Sequence, residues 1–357
     1  MRVSIAQPYI GEEEKRAVGQ VLDSGHLVQG KWVERLETEF AAQLGSKFAV
    51  ATSSGTSALT AMLLAHGVGP GDEVLLPSFS FFATASCVLF VGATPVFVDV
   101  IEQDFTMDPA AAEAAVTNRT KAVLPVHLYG HPANMTELAA LCEQRNLVLL
   151  EDAAQAHLAS IDGRKVGTFG TAAFSFYPSK NMTTGEGGMI TTSDPKIFES
   201  LRMIRNQGMN QQYFHEVLGG NFRMTDLCAA IGVPQLARLP KWNQIRVKNA
   251  QFLSAHLQNV LTPKVRDGIE HVFHQYTVRV PASERDRFVS RLNERGVGAR
   301  VYYARPIHQQ PVVLARAPAP VHLPMTEKLA AEVVSLPVHP QLSQEQLQFV
   351  VDEVNAC

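Results

Sequence analysis

Three stretches of the chain bring together residue types that could do chemistry. Lys180 lies within Phe174-Ser-Phe-Tyr-Pro-Ser-Lys-Asn-Met-Thr-Thr-Gly-Glu-Gly-Gly188, just beyond an apolar run and close to the hydroxyls of Ser175 and Ser179. Asp152 ends the run Leu147-Val-Leu-Leu-Glu-Asp152. A carboxylate at the end of a buried strand is unfavourable unless it meets a proton, a cation or a dipole. Phe48-Ala-Val-Ala-Thr52 leads into Ser53-Ser-Gly-Thr-Ser57, where a glycine and several hydroxyls open a helical stretch, a favourable place for a phosphate. Taken singly, these are a solvated lysine, a helix-capping aspartate and an ordinary turn. On one sheet edge they become an amine, a carboxylate and a phosphate cradle, the three contacts that pyridoxal phosphate requires. In that reading the carboxylate keeps the pyridine nitrogen protonated. The lysine holds the cofactor as a Schiff base and, once displaced, carries a proton as a neutral amine.

The pattern around these residues supplies such an edge. Apolar runs predict strands at Phe48–Thr52, Glu73–Pro77, Thr94–Asp99, Ala122–Val126, Leu147–Asp152 and Ala172–Phe176, with a further one at Met189–Thr192. Helical spacing at Thr56–His66, Phe82–Val91 and Met135–Arg145 falls where crossovers are needed. After Asp194, helices are expected at Pro195–Arg205 and Thr225–Leu236, then a long amphipathic one from Lys241 to about Gln258. The remainder predicts strands at Tyr276–Val280 and near Ala299–Tyr303, and helices at Glu284–Arg295 and from Gln344. The expectation is an α/β protein: a large domain over residues 1–240 with a mostly parallel seven-stranded sheet, and a smaller C-terminal α/β domain over 241–357. The extreme N-terminus is expected to pack on the small domain.

At 357 residues, 46% apolar and 18% charged, the chain has the composition of a globular protein. A net charge of −3 without a basic block argues against nucleic-acid or anionic-membrane binding. The apolar stretch from Phe81 to Val98 is interrupted at Gly92-Ala-Thr-Pro95 and reads as a buried helix, a turn and a strand. Cys87, Cys142, Cys228 and Cys357 are too widely spaced for a zinc site or disulfide framework, and no metal site is expected. Reduced thiols and the absence of a secretory leader point to a cytoplasmic protein.

Longer motifs carry a resemblance over nearly the whole chain. They are Ser24-Gly25 with Gly30, Ser54-Gly-Thr-Ser-Ala-Leu59, Gly92-Ala-Thr-Pro95, Val126-His-Leu-Tyr-Gly130, Glu151-Asp-Ala-Ala-Gln-Ala-His157, Phe174 to Gly188 and Gly220-Asn-Phe-Arg-Met-Thr-Asp226. Together they resemble the sugar aminotransferases of the DegT/DnrJ/EryC1/StrS family, which have the pyridoxal-phosphate transferase fold of type I. The resemblance implies Lys180 as the Schiff-base lysine, Asp152 as the partner of the pyridine nitrogen and Gln155 against the phenolic oxygen of the cofactor. It implies a phosphate held at Gly55, Thr56 and Ser57 with Ser175 as a further donor. Phe81 matches the position whose ring stacks on the pyridine; the alternative is a core phenylalanine. Asn221 matches the residue that reaches the phosphate of a neighbouring subunit, which implies a homodimer with shared sites. His157 either lines the site or hydrogen-bonds in the core. Tyr303 and His308 match a segment that approaches substrate, although this chain has Tyr302 and Ala304 where many relatives have His and Pro. Tyr177 likewise replaces a common His beside the lysine.

The implied reaction takes an amino group from an amino acid, glutamate first, onto the cofactor as its pyridoxamine form and then onto a keto group of a nucleotide-linked sugar. The Val126–His131 and Thr183–Gly188 segments are similar to those of perosamine-type synthases, which implies a 4-keto-6-deoxy sugar. A cofactor-dependent sugar dehydratase, a cyclitol aminotransferase and a non-catalytic regulatory relative are the alternatives. Lys180 speaks against the dehydratase, whose members carry His there.

Overall fold

The computed structural model describes residues 1–316 and 321–357. Its centre is a sheet of seven strands: β1 (Phe48–Thr52), β2 (Glu73–Pro77), β3 (Thr94–Val98), β4 (Thr120–Val123), β5 (Val148–Asp152), β6 (Thr171–Ser175) and β7 (Gly188–Thr192). Their order is β1-β7-β6-β5-β4-β2-β3. Pairings β2/β3, β2/β4, β4/β5 and β5/β6 are parallel, while β7 runs antiparallel to both β1 and β6. Six strands therefore point the same way, and their carboxyl ends form one edge, where ligands bind in such sheets.

Near-continuous apolar runs form these strands because both faces are covered. Alternation sends neighbouring residues to different cores. Ala51, Phe174 and Met189 pack with Leu36, Phe40 and Val233 on one face. Val50, Ala173 and Ile190 pack with Leu59, Met62 and Leu63 of helix Gly55–Ala65 on the other. The paired carboxylates at the end of β5 separate in the same way. Glu151 turns to the loop before β6, accepting N–H bonds from Gly167, Phe169 and Gly170 and a bond from His127 Nε2. Asp152 is left for the sheet edge. A third core joins Val3 to Leu253, Tyr276, Val278, Leu292, Val334 and Val350.

Several elements differ from the sequence expectation. Strand β4 stops at Val123, because Pro125 has no N–H for a ladder; beyond it only Val126 forms a bridge, to Asp152. The two expected helices after Thr225 are one helix, Asp226–His256, which continues through Pro234 and Pro240. It serves two cores, burying Val233 and Leu239 against the sheet and Ala250 and Leu253 in the third core, and the boundary expected at 240/241 falls inside it. Near Ala299–Tyr303 only Arg300 pairs, with Ser335, because Tyr303 adopts a φ of 62°. Tyr276–Arg279 instead pairs with an unanticipated strand, Val333–Leu336. Helices Glu12–Ser24 and Lys31–Leu44, also unanticipated, pack on the long helix through Val21 and Leu36. No helix of the described residues is long and apolar enough to cross a membrane.

Candidate active site

The carboxyl edge of the sheet assembles most of the candidate residues. After β1 the chain turns at Ser54, whose hydroxyl accepts the Ser57 N–H at 3.1 Å and caps helix Gly55–Ala65. The Ser57 hydroxyl returns to the Ser54 carbonyl at 2.8 Å, so it serves the cap. Helix and sheet meet closely here. A β-carbon on Gly55 would lie 2.8 Å from Ser175 Cβ, and one on Gly188 would lie 2.3 Å from the Ser54 carbonyl oxygen. Only glycine lets the helix N-terminus, with its free N–H groups, come this close to the ends of β6 and β7.

Asp152, 4% exposed, ends β5 on the same edge. Its Oδ2 accepts from Thr84 Oγ1 at 2.8 Å and its Oδ1 from the Ala154 N–H at 3.2 Å. No cationic side chain among the described residues stands within ion-pair distance of it. Burial pushes its carboxyl above the usual range, against the Thr84 and Ala154 bonds and the charge of Lys180. Lys180 follows β6 in a turn closed by its own N–H to the Tyr177 carbonyl at 2.9 Å. Burial lowers its amine to about 8, opposed by the charge of Asp152. The next residue, Asn181, fixes that turn, donating from Nδ2 to Asn243 Oδ1 at 2.9 Å and to the Val272 carbonyl at 3.1 Å.

Gln155 is held at both ends of its amide, accepting the Tyr129 N–H at 2.7 Å and donating to the Tyr303 hydroxyl at 2.7 Å. Tyr303 thereby joins the site. Phe81 is 60% exposed, which excludes the core alternative. Asn221 is exposed, on a segment whose Phe222 carbonyl accepts the Ser53 N–H at 2.8 Å, beside the helix cap.

Two expected residues are buried in surroundings of their own, although the charge of Lys180 still acts on His157. His157 is buried with its ring 5.5 Å from Phe174 and 5.7 Å from Phe176, on the face of β6 opposite Ser175, and neither ring nitrogen has a hydrogen-bond partner. His308 is buried between Ser78 Oγ, at 2.7 Å from Nδ1, and Glu327 Oε1, at 3.3 Å from Nε2, so both its nitrogens are engaged by the protein. Thr84 and Tyr129 were not singled out in the sequence. Thr84 could have been found from the pair of hydroxyls four residues apart in Ser80-Phe-Phe-Ala-Thr84, which face one way across a helical turn.

An amine, a buried carboxylate and a helix N-terminus thus stand together on one edge of a largely parallel sheet. The chain belongs to the DegT/DnrJ/EryC1/StrS aminotransferase family, which it matches over residues 8–355. It is 43% identical over 349 residues to a pleiotropic regulatory protein of Geobacillus stearothermophilus, covering 96% of this chain and 93% of that one. It is 42% identical over 340 residues to a UDP-N-acetyl-3-dehydro-α-D-glucosamine 3-aminotransferase of Acidithiobacillus ferrooxidans, covering 94% and 91%. Among solved structures, Streptomyces venezuelae DesV in complex with a ketimine intermediate matches with a TM-score of 0.92 at 42% identity, covering 96% of this chain and 94% of that one.

Proposed function

We propose that this chain transfers an amino group from an amino acid, L-glutamate first, to a keto group of a nucleotide-linked sugar, using pyridoxal phosphate held on Lys180. One observation carries this reading: a buried carboxylate with no cation at ion-pair distance among the described residues stands on the same edge as a lysine whose amine is lowered to about 8. That pair fits a cofactor with an aldehyde and a basic ring nitrogen. Bound there, the cofactor supplies an electron sink when a substrate C–H bond breaks.

The remaining work falls to side chains. Asp152 keeps the ring nitrogen protonated, and Phe81 offers a free ring face on the turn that carries Thr84. The free N-terminal amides at Gly55 and Thr56, with Ser175, receive the phosphate at the cap that Ser57 closes. Gln155, oriented by Tyr129 and Tyr303, presents its remaining N–H to the phenolic oxygen. Lys180, near its midpoint at pH 8, both takes and returns a proton at the substrate carbon. The exposure of Asn221 beside the cap supports a homodimer in which it reaches the site of a second copy. Nucleotide-linked sugars as substrates support a cytoplasmic location.

Purified protein with pyridoxal phosphate is expected to absorb at roughly 410–430 nm. With glutamate it aminates members of a panel of nucleotide-linked 3-keto and 4-keto sugars, and the panel reports which carbon is used. Lys180→Ala loses band and turnover together; a variant that transaminates at the wild-type rate overturns the mechanism. A second, regulatory reading is favoured by the name of the Geobacillus relative. A cofactor band with no turnover on the whole panel supports that reading instead.

A further inference from the structure

We propose that Ser80 and Thr84 form a one-way hydrogen-bond relay that holds Asp152 ionised and, through the same turn, fixes the ring of Phe81. This rests on the cofactor reading above. Thr84 has one hydroxyl proton, and it is committed to Asp152 Oδ2 at 2.8 Å. The 2.8 Å contact between Ser80 Oγ and Thr84 Oγ1 must then be filled by the proton of Ser80. Both protons point toward the acid. A protonated Oδ2 would turn its own hydrogen against that of Thr84, so the relay in this direction disfavours a proton on that oxygen.

This matters because little else holds the charge. The titratable groups facing Asp152 are Lys180 from the turn after β6, His127 from beyond β4, Cys87 from helix Ala83–Phe90 and Tyr303 from the loop after Ala299. None of them hydrogen-bonds to it: the Cys87 thiol donates to the Thr84 carbonyl, His127 Nε2 meets Glu151, and the Tyr303 hydroxyl takes the Gln155 amide. Besides Thr84, among the described residues only the Ala154 N–H donates, at 3.2 Å, and it goes to the other oxygen, Oδ1. Oδ1 thus keeps a lone pair for a ring N–H.

The relay also closes a turn. Ser80 and Thr84 are buried, and between them Phe81 projects to solvent while its carbonyl accepts the Thr84 N–H at 3.2 Å. Stacking ring and ring-nitrogen partner are therefore set by one five-residue segment. Ser80 and Thr84 are positioning residues that act through Asp152 and Phe81.

The test is titration of the cofactor-free chain with pyridoxal phosphate, read by absorbance across pH, for wild type, Thr84→Val, Thr84→Ser and Ser80→Ala. Thr84→Val is expected to weaken cofactor binding roughly 10- to 100-fold, the effect of one hydrogen bond to a charged group. It also moves the pH midpoint of the cofactor band upward, since a less stabilised Asp152 draws the ring proton to itself. Thr84→Ser keeps the hydroxyl and restores both readouts, and Ser80→Ala shifts both in the same sense by less. Wild-type affinity and midpoint in Thr84→Val overturn the relay, as does lower thermal stability with an unmoved midpoint. If Thr84→Val does not fold, Ser80→Ala decides, and unchanged binding and midpoint there overturn it. A wild type that develops no band removes the cofactor reading and the relay with it, whereas a wild-type band with unaffected variants removes the relay alone.

Discussion

Gln155 Nε2 donates to the Tyr303 hydroxyl at 2.7 Å, joining residues 148 positions apart and tying the loop after Ala299 to the end of β5. Tyr303 holds this place at a φ of 62°, a conformation that a non-glycine residue adopts only when its surroundings require it. Tyr303→Phe keeps the ring and removes the acceptor. Gln155 then loses one of its two anchors, and the expected result is about 1 kcal/mol less stability and a roughly fivefold weaker hold on the cofactor. Chemical denaturation and cofactor titration check both. An unchanged titration would mean that Gln155 is oriented by the Tyr129 N–H alone.

The lowered amine of Lys180 predicts a reactivity profile. Burial lowers it to about 8, whereas a solvated lysine titrates near 10.4. Labelling of the cofactor-free chain by an aldehyde and borohydride should therefore rise through about pH 8 at Lys180 and some two units higher at surface lysines. The charge of Asp152 favours the ammonium form, so Asp152→Asn moves the Lys180 midpoint further down. Site-resolved mass spectrometry over pH reports both. A midpoint near that of the surface lysines contradicts the burial of the amine.

Much of this site was legible in the sequence because it lies at strand ends, where apolar runs change abruptly to polar residues. The runs ending at Thr52, Asp152 and Phe176 set the carboxyl edge, and β1, β2 and β5 agree with their expected ranges to within a residue. Residues held by tertiary partners were not legible in that way. Whether His157 turned toward the site or the core depended on the side of β6 on which Phe174 and Phe176 lie, and nothing local to His157 reveals that. His308 lies in a segment that resembles a substrate loop, yet Ser78 and Glu327, from distant parts of the chain, occupy both its nitrogens. The long helix was split in the sequence reading because its buried face changes where it leaves the sheet for the third core.

Buried histidines predict acid lability. Burial lowers His66 and His339 to about 4 and His157 to about 3, and drives His271 and His274 down as well. In the unfolded chain each ring titrates near 6.5, so between these values the unfolded state holds more protons. Stability from these rings is complete above about pH 6.5 and is lost progressively as the pH falls below it. Urea unfolding midpoints should drop from pH 7 to pH 5. His157→Phe, which removes two unpartnered buried nitrogens, should flatten that slope and leave the cofactor band in place. An unaltered slope, or a lost band, would return His157 to the site.

The contact between Gly55 and Ser175 predicts a compensating pair. In Gly55→Ala the new β-carbon would stand 2.8 Å from Ser175 Cβ and 3.1 Å from its Oγ, so the helix N-terminus must move off the end of β6. Overpacking of this kind costs about 1–3 kcal/mol. The same displacement carries the free N–H groups away from a phosphate, so cofactor affinity should fall together with stability. Ser175→Gly deletes both clashing atoms and leaves only the backbone Cα, 3.4 Å from the new β-carbon, an ordinary contact. Gly55→Ala with Ser175→Gly should therefore recover most of the stability lost by Gly55→Ala, less roughly 0.5–1 kcal/mol for a glycine in the strand. A double-mutant cycle by denaturation measures the coupling, and cofactor titration of the four proteins shows whether affinity follows it. Additive losses would mean that the helix and strand ends already stand apart. Recovered stability without recovered affinity is the result expected if the Ser175 hydroxyl itself holds the phosphate, as proposed above.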